Sequence, residues 1–149
     1  MRLFGHPVHP MLVAFPIGLL ALVPLWDALA LLGVMHAAPA VAYFCELAGL
    51  ISGGLAVVSG LVDFTRLPQG AVVTTALWHA SLALGALSCF GVAFALRSDV
   101  AVPTLTVLAL DVLGAASLAA AGWFGGHLVF RHGAAVERQD DRAAPPASR

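Results

Sequence analysis

Histidine is the residue type in this chain best suited to chemistry, and five of the six histidines lie near the ends of long apolar segments. His79 is the deepest, about two turns along its segment if that segment is helical. Asp63 lies at the end of another apolar segment, on the same side. Ionisable residues are costly in a membrane and tend to mark functional sites there. The pattern predicts one site built from several helix ends, while His36 stands apart and is assigned no role.

One interpretation of this site is a b-type haem. Two histidines on different helices can each supply one axial nitrogen to the iron. Arginines at the membrane surface can pair with the haem propionates. The candidate cofactor-binding residues are His9, His79, His127, His132, Arg66 and Arg131.

A non-haem metal site is the second interpretation, because neutral imidazoles and a carboxylate suit iron, zinc or copper. The candidate ligands are His6, His9, Asp63, His79 and His132. The chain has no HExxH motif, so the only sequence evidence for a metal site is the grouping of these residues.

Composition places these residues in a membrane. The chain is 60% apolar and 10% charged, with a mean hydropathy of +0.95, whereas soluble domains are about 45–50% apolar and about 25% charged. Four apolar runs, 11–34, 40–64, 71–96 and 102–130, each exceed the roughly 18 residues that cross a bilayer. The arginines do not form a basic stripe, which excludes nucleic acid as an expected partner.

The short connections between the runs predict an all-α, integral membrane, four-helix up-and-down bundle over residues 1–133. Residues 134–149 are charged and proline-containing, and predict a short disordered C-terminal tail. Cys45 and Cys89 lack metal-binding or haem-attachment spacing and are interpreted as buried thiols. Small residues in the second and fourth runs predict close helix packing, and a homodimer through such faces is an open alternative.

Arginine distribution predicts the orientation. Six of the seven arginines flank one face and Arg97 alone lies at the other. By the positive-inside rule both termini, the tail and the histidine group are expected on the cytoplasmic side of the membrane.

A second polar group lies towards the opposite face, namely Asp27, Glu46 and Asp111. The favoured interpretation is hydrogen bonding between helices by protonated carboxyl groups. A proton or quinone path through the bundle is the alternative.

Four features of the sequence are distinctive in combination: Gly5-His6-Pro7-Val8-His9-Pro10, Ser59-Gly60-Leu61-Val62-Asp63-Phe64, His79, and Gly125-Gly126-His127-Leu128-Val129-Phe130-Arg131-His132-Gly133. In these features the sequence resembles the DUF2231 family of predicted bacterial four-span membrane proteins. The resemblance covers nearly the whole chain apart from the tail and implies a location in the bacterial inner membrane. Similarity to members fused to Rieske-type iron–sulfur domains implies a redox setting, with a Rieske-type protein or quinone as a partner.

The leading functional expectation is therefore a membrane-embedded b-type haem protein or redox subunit, acting as an electron carrier rather than a stand-alone enzyme. A non-haem metal-binding membrane protein and a non-redox structural or assembly partner are the alternatives.

Overall fold

The computed structural model describes residues 2–3, 6–67 and 70–133, with side chains described from residue 8 onward. The tail predicted to be disordered, residues 134–149, lies outside this part of the chain, as does the side chain of His6. A short antiparallel pair, β1 (Arg2–Leu3) with β2 (His6–Pro7), precedes the helices. The sequence analysis did not predict this pairing.

Five helices follow: α1 (Val8–Leu20), α2 (Val23–Leu31), α3 (Ala38–Phe64), α4 (Ala71–Leu96) and α5 (Leu105–Phe130). Together α1 and α2 form one span, so the described residues contain four helical spans long and apolar enough to cross a membrane. This confirms the predicted all-α, four-span architecture. The predicted ends of three runs differ from the helix ends by up to three residues, because hydropathy does not register where a helix is capped.

The first span is interrupted at Ala21 and Leu22, directly before Pro24. Proline has no N–H to donate, so one hydrogen bond of the helical ladder is missing at this residue. Pro24 occupies the first turn of α2, where a missing donor costs nothing. Helical hydrogen bonds from Ala21 to Ile17 and from Trp26 to Leu22 continue on either side of the break, and the two helices form one span.

The four spans are arranged as two pairs. In the first pair the span formed by α1 and α2 packs along α3, and in the second pair α4 packs along α5. The pairs meet where α3 approaches α4 and where α2 approaches α5, while α1 has little direct packing on the second pair. A core of Leu20, Val23, Ala42 and Phe90 joins the two pairs near the middle of the bundle.

Glycine permits the closest helix contacts. A Cβ atom at Gly49 would lie 2.5 Å from the Leu20 side chain, and one at Gly114 would lie 2.8 Å from the Phe90 ring. These positions belong to the small-residue stripes of the second and fourth runs, which face other helices as predicted. The outer surface carries large exposed apolar side chains, among them Phe15, Leu55 and Trp123. Such a surface suits a lipid environment.

Candidate functional site

Two histidines on different helix pairs come together at one end of the bundle, called here the histidine end. The ring centroids of His9, on α1, and His79, on α4, are 6.3 Å apart, and the ring planes are nearly perpendicular at 84°. Since α1 has little other packing on α4 or α5, these imidazoles bridge a region where the two pairs are otherwise separate.

Hydrogen bonds fix the tautomer of His9. Its Nδ1 lies 2.9 Å from the carbonyl oxygen of Ala56 and 3.2 Å from Ser59 Oγ, both on α3. A carbonyl only accepts, so Nδ1 must carry the hydrogen. In the neutral ring Nε2 then holds the free lone pair.

His79 is held in the same way from the second pair. Its Nδ1 donates to the carbonyl oxygen of Ala121, on α5, at 2.8 Å. Each imidazole is therefore anchored by the partner helix within its own pair. Histidine that binds a metal commonly donates its other ring N–H to a backbone carbonyl in this manner, which orients the ring and raises its basicity.

Glycine lies beside both rings. A Cβ atom at Gly60 would be 2.8 Å from His9 Cε1, and one at Gly125 would be 3.2 Å from His79 Cε1. The absence of side chains at these positions lets the imidazoles lie directly against α3 and α5.

The other histidine candidates have different surroundings. His132 Nε2 lies 3.2 Å from Thr75 Oγ1, whose own hydrogen is donated to Ala71, so His132 Nε2 is the donor in that contact. In the neutral ring the lone pair of His132 is then on Nδ1. Thr75 lies one turn from His79, so His132 is held near that residue.

His127 is directed towards the outer surface. Its Nδ1 donates to the carbonyl oxygen of Trp123 at 3.2 Å, and its ring lies 5.4 Å from the ring of that exposed tryptophan. This geometry suits a residue at the membrane interface.

The remaining candidates also lie at the histidine end. Asp63 is half-buried at the end of α3, and Arg66 and Arg131 are exposed at the same end of the bundle. The described residues contain no group of three or more His, Cys, Asp or Glu arranged to hold a metal ion.

A buried charge cluster occupies the opposite end. The Arg97 cluster consists of Asp27 on α2, Glu46 on α3, Arg97 after α4 and Asp111 on α5. The Arg97 guanidinium donates two hydrogen bonds of 2.8 Å to Asp27, one of 2.7 Å to Glu46 and one of 3.1 Å to Asp111. All four side chains are fully buried.

The carboxylates keep Arg97 charged. Burial by itself would lower the pKa of Arg97, but the hydrogen bonds and negative charges of its acidic neighbours outweigh that effect and raise the pKa above its ordinary value. The sequence predicted hydrogen bonding between helices by protonated carboxyl groups of these acids and placed Arg97 at this face of the bundle. It did not predict that Arg97 itself bonds all three acids. Charge balance was the available signal, because Arg97 is the one basic residue at the end where three acids lie in apolar runs.

The comparison with known families agrees with this architecture. The model of the DUF2231 family, described as a predicted membrane protein, matches residues 5–138. The chain belongs to the DUF2231 family. The match includes His9, His79 and all members of the Arg97 cluster, so both polar ends of the bundle lie inside the family domain. No curated protein and no solved structure matches the chain.

Proposed function

We propose that this DUF2231 protein binds a b-type haem at the histidine end, with His9 and His79 as the axial ligands, and acts as an electron-transfer subunit in the membrane. The observation that carries the proposal is the pair of imidazoles on opposite helix pairs, 6.3 Å apart, each with Nδ1 bonded to a backbone carbonyl.

Distance supports the pairing. Imidazole nitrogens bind transition metals at about 2.0–2.1 Å, so two rings on opposite sides of one metal ion place their centroids roughly 6 Å apart. The 6.3 Å between the His9 and His79 ring centroids is therefore short enough for both imidazoles to hold one metal ion.

Architecture gives further support. His9 belongs to the first helix pair and His79 to the second, and α1 packs little on α4 or α5. A haem held by both residues would be bound by one histidine from each pair. When bound there, haem supplies reversible one-electron chemistry at iron. The protein residues hold the ligand nitrogens in place and limit access of water.

Arginines complete the proposed site. Arg66 follows α3 and Arg131 follows α5, and both are exposed at the histidine end. Guanidinium groups bind carboxylates through paired, charge-assisted hydrogen bonds. We assign them to the propionates, which would orient the macrocycle with its polar edge towards the membrane surface.

The proposal is tested by producing the full chain with haem supplied and purifying it in mild detergent. Haem content and the reduced-minus-oxidised absorbance spectrum are measured for the wild type and for H9A, H79A, H36A and H127A. We expect Soret and alpha bands in the wild type, H36A and H127A, and loss of haem or a shifted spectrum in H9A and H79A. Circular dichroism of each variant confirms that the helices are retained.

Two results would overturn the haem assignment. The first is a wild-type protein that contains no haem although haem was supplied, and the second is full haem content in both H9A and H79A. Elemental analysis of the same samples tests the non-haem alternative. Bound iron, zinc or copper without a Soret band, lowered by H79A, would favour that alternative over haem.

A further inference from the structure

The Arg97 cluster contains more negative charge than its single guanidinium can balance. Asp27 accepts two hydrogen bonds from Arg97 through both carboxylate oxygens, so these two residues form a neutral bidentate pair. Glu46 and Asp111 each bond Arg97 through only one oxygen. If both were ionised, two uncompensated negative charges would lie fully buried within the bundle.

Two oxygen atoms in the cluster also lack a donor. Glu46 Oε1 and Asp111 Oδ1 are buried and have no hydrogen-bond partner among the described residues. Buried polar atoms are nearly always paired, and a buried charge without compensation is very unfavourable. The oxygens call for a hydrogen-bond donor and the excess negative charge calls for a positive one, and a bound proton supplies both.

We propose that the Arg97 cluster is a proton-binding site, in which Glu46 and Asp111 share at least one proton through these two oxygens. Glu46 and Asp111 accept from neighbouring nitrogens, Nε and Nη2, of the same guanidinium, which holds the two carboxyl groups beside each other. The proton adds to one carboxylate oxygen, forming an O–H bond, and that O–H donates to the neighbouring carboxylate. Water at this membrane face supplies the proton and receives it on release.

All four spans contribute to the site. Asp27 comes from the first span, Glu46 from the second, Arg97 from the end of the third and Asp111 from the fourth. Release of the proton would add a negative charge where the two helix pairs join. Proton occupancy is therefore coupled to the packing of the pairs, at the end of the bundle opposite His9 and His79.

The test is infrared difference spectroscopy of the full chain in detergent, using the carbonyl stretch that only a protonated carboxyl group shows. Wild-type protein is compared with E46Q, D111N and D99N. The amide in E46Q or D111N supplies an N–H in place of the proposed proton, so both variants should fold. D99N removes one negative charge from an exposed loop residue at the same end and is the matched control.

We expect a protonated-carboxyl band at neutral pH that shifts in heavy water, persists in D99N and is altered or lost in E46Q and D111N. We also expect the unfolding temperature of the wild type to fall as the pH is raised and the band disappears, with a smaller fall in D111N. The absence of the band, or its survival unchanged in both E46Q and D111N, would overturn the proposal. Stabilisation by sodium ions in a protein that lacks the band would overturn it in favour of a metal cation. None of these results depends on haem.

Discussion

At the scale of single residues, the histidine end depends on the tautomers of two imidazoles. Backbone carbonyls of Ala56 and Ala121 accept from Nδ1 of His9 and His79, which leaves Nε2 of each ring with a lone pair. The sequence predicted that these histidines lie at one end of the bundle, because helix direction and depth can be counted along the chain. It could not predict their hydrogen bonds, which depend on how each helix is rotated about its axis.

The glycine beside His9 provides a residue-scale prediction. In G60A the new Cβ would lie 2.8 Å from His9 Cε1, so the ring must move although two hydrogen-bond acceptors hold its Nδ1. We expect lower haem content and a destabilisation of about 1–3 kcal/mol. Thermal unfolding in detergent and the haem spectrum measure the two effects.

The control is G54A on the same helix, where no atom lies within 4 Å of the new Cβ. Alanine favours helix over glycine by about 1 kcal/mol, so G54A should be neutral or slightly stabilising. Equal behaviour of G60A and G54A would contradict the close packing of His9 on α3.

At the scale of helices, hydropathy identified four spans because an apolar run of sufficient length has no other stable arrangement in lipid. The break before Pro24 lies within one apolar run, so hydropathy does not register it, and the short β1–β2 pairing was not predicted. The arrangement of the spans as two pairs was also not predicted from the sequence. It depends on which helix each small-residue stripe contacts, and helical periodicity identifies a stripe without identifying its partner helix.

Packing of α1 on α3 gives an element-scale prediction. A Cβ at Gly49 would lie 2.5 Å from Leu20 Cδ2, and Leu20 is fully buried. We expect G49A to destabilise the bundle by about 1–3 kcal/mol through overpacking. Removing the Leu20 branch makes room for the new methyl group, so the double variant G49A/L20A should be more stable than the sum of the single changes implies. Additive free energies of unfolding would show that the two residues are not in contact.

At the scale of the whole molecule, charged residues join the helix pairs at the end opposite the histidines. The sequence contained the signal for this cluster, since three acids and one arginine lie at the same end. Arginine beside a membrane commonly extends its side chain towards water, which favours an exposed Arg97 side chain in the loop after α4. Convergence of three carboxylates from three spans instead holds Arg97 inside the bundle.

Replacement of Arg97 tests the structural role of the Arg97 cluster. R97Q would leave three buried acids without their counter-charge, and breaking a buried ion pair in this way costs about 3–5 kcal/mol. R66Q removes an exposed arginine at the other end and should change stability little. Unfolding of the two variants by denaturing detergent gives the comparison. Similar stabilities would contradict the structural role of the Arg97 cluster.

Arginine placement also predicts the orientation of the bundle in the membrane. Arg66 and Arg131 are exposed at the histidine end, whereas Arg97 is buried at the other, so the exposed charge is more asymmetric than the sequence count suggests. We expect both termini on the cytoplasmic side. Two reporters are fused to the C-terminus in turn, one active only in the cytoplasm and one active only outside it. The reporter that is active shows on which side the C-terminus lies. Activity of the external reporter would reverse the orientation and place the histidine end outside.

The central claim, that His9 and His79 together hold one haem iron, is tested most directly by electron paramagnetic resonance of the oxidised protein. Two axial imidazoles make ferric haem low-spin, and the 84° angle between the rings predicts a strongly anisotropic signal. H9A and H79A should convert any haem that remains to a high-spin form, while H36A should keep the wild-type signal. A high-spin wild-type spectrum, or a low-spin signal unchanged in both H9A and H79A, would contradict the account.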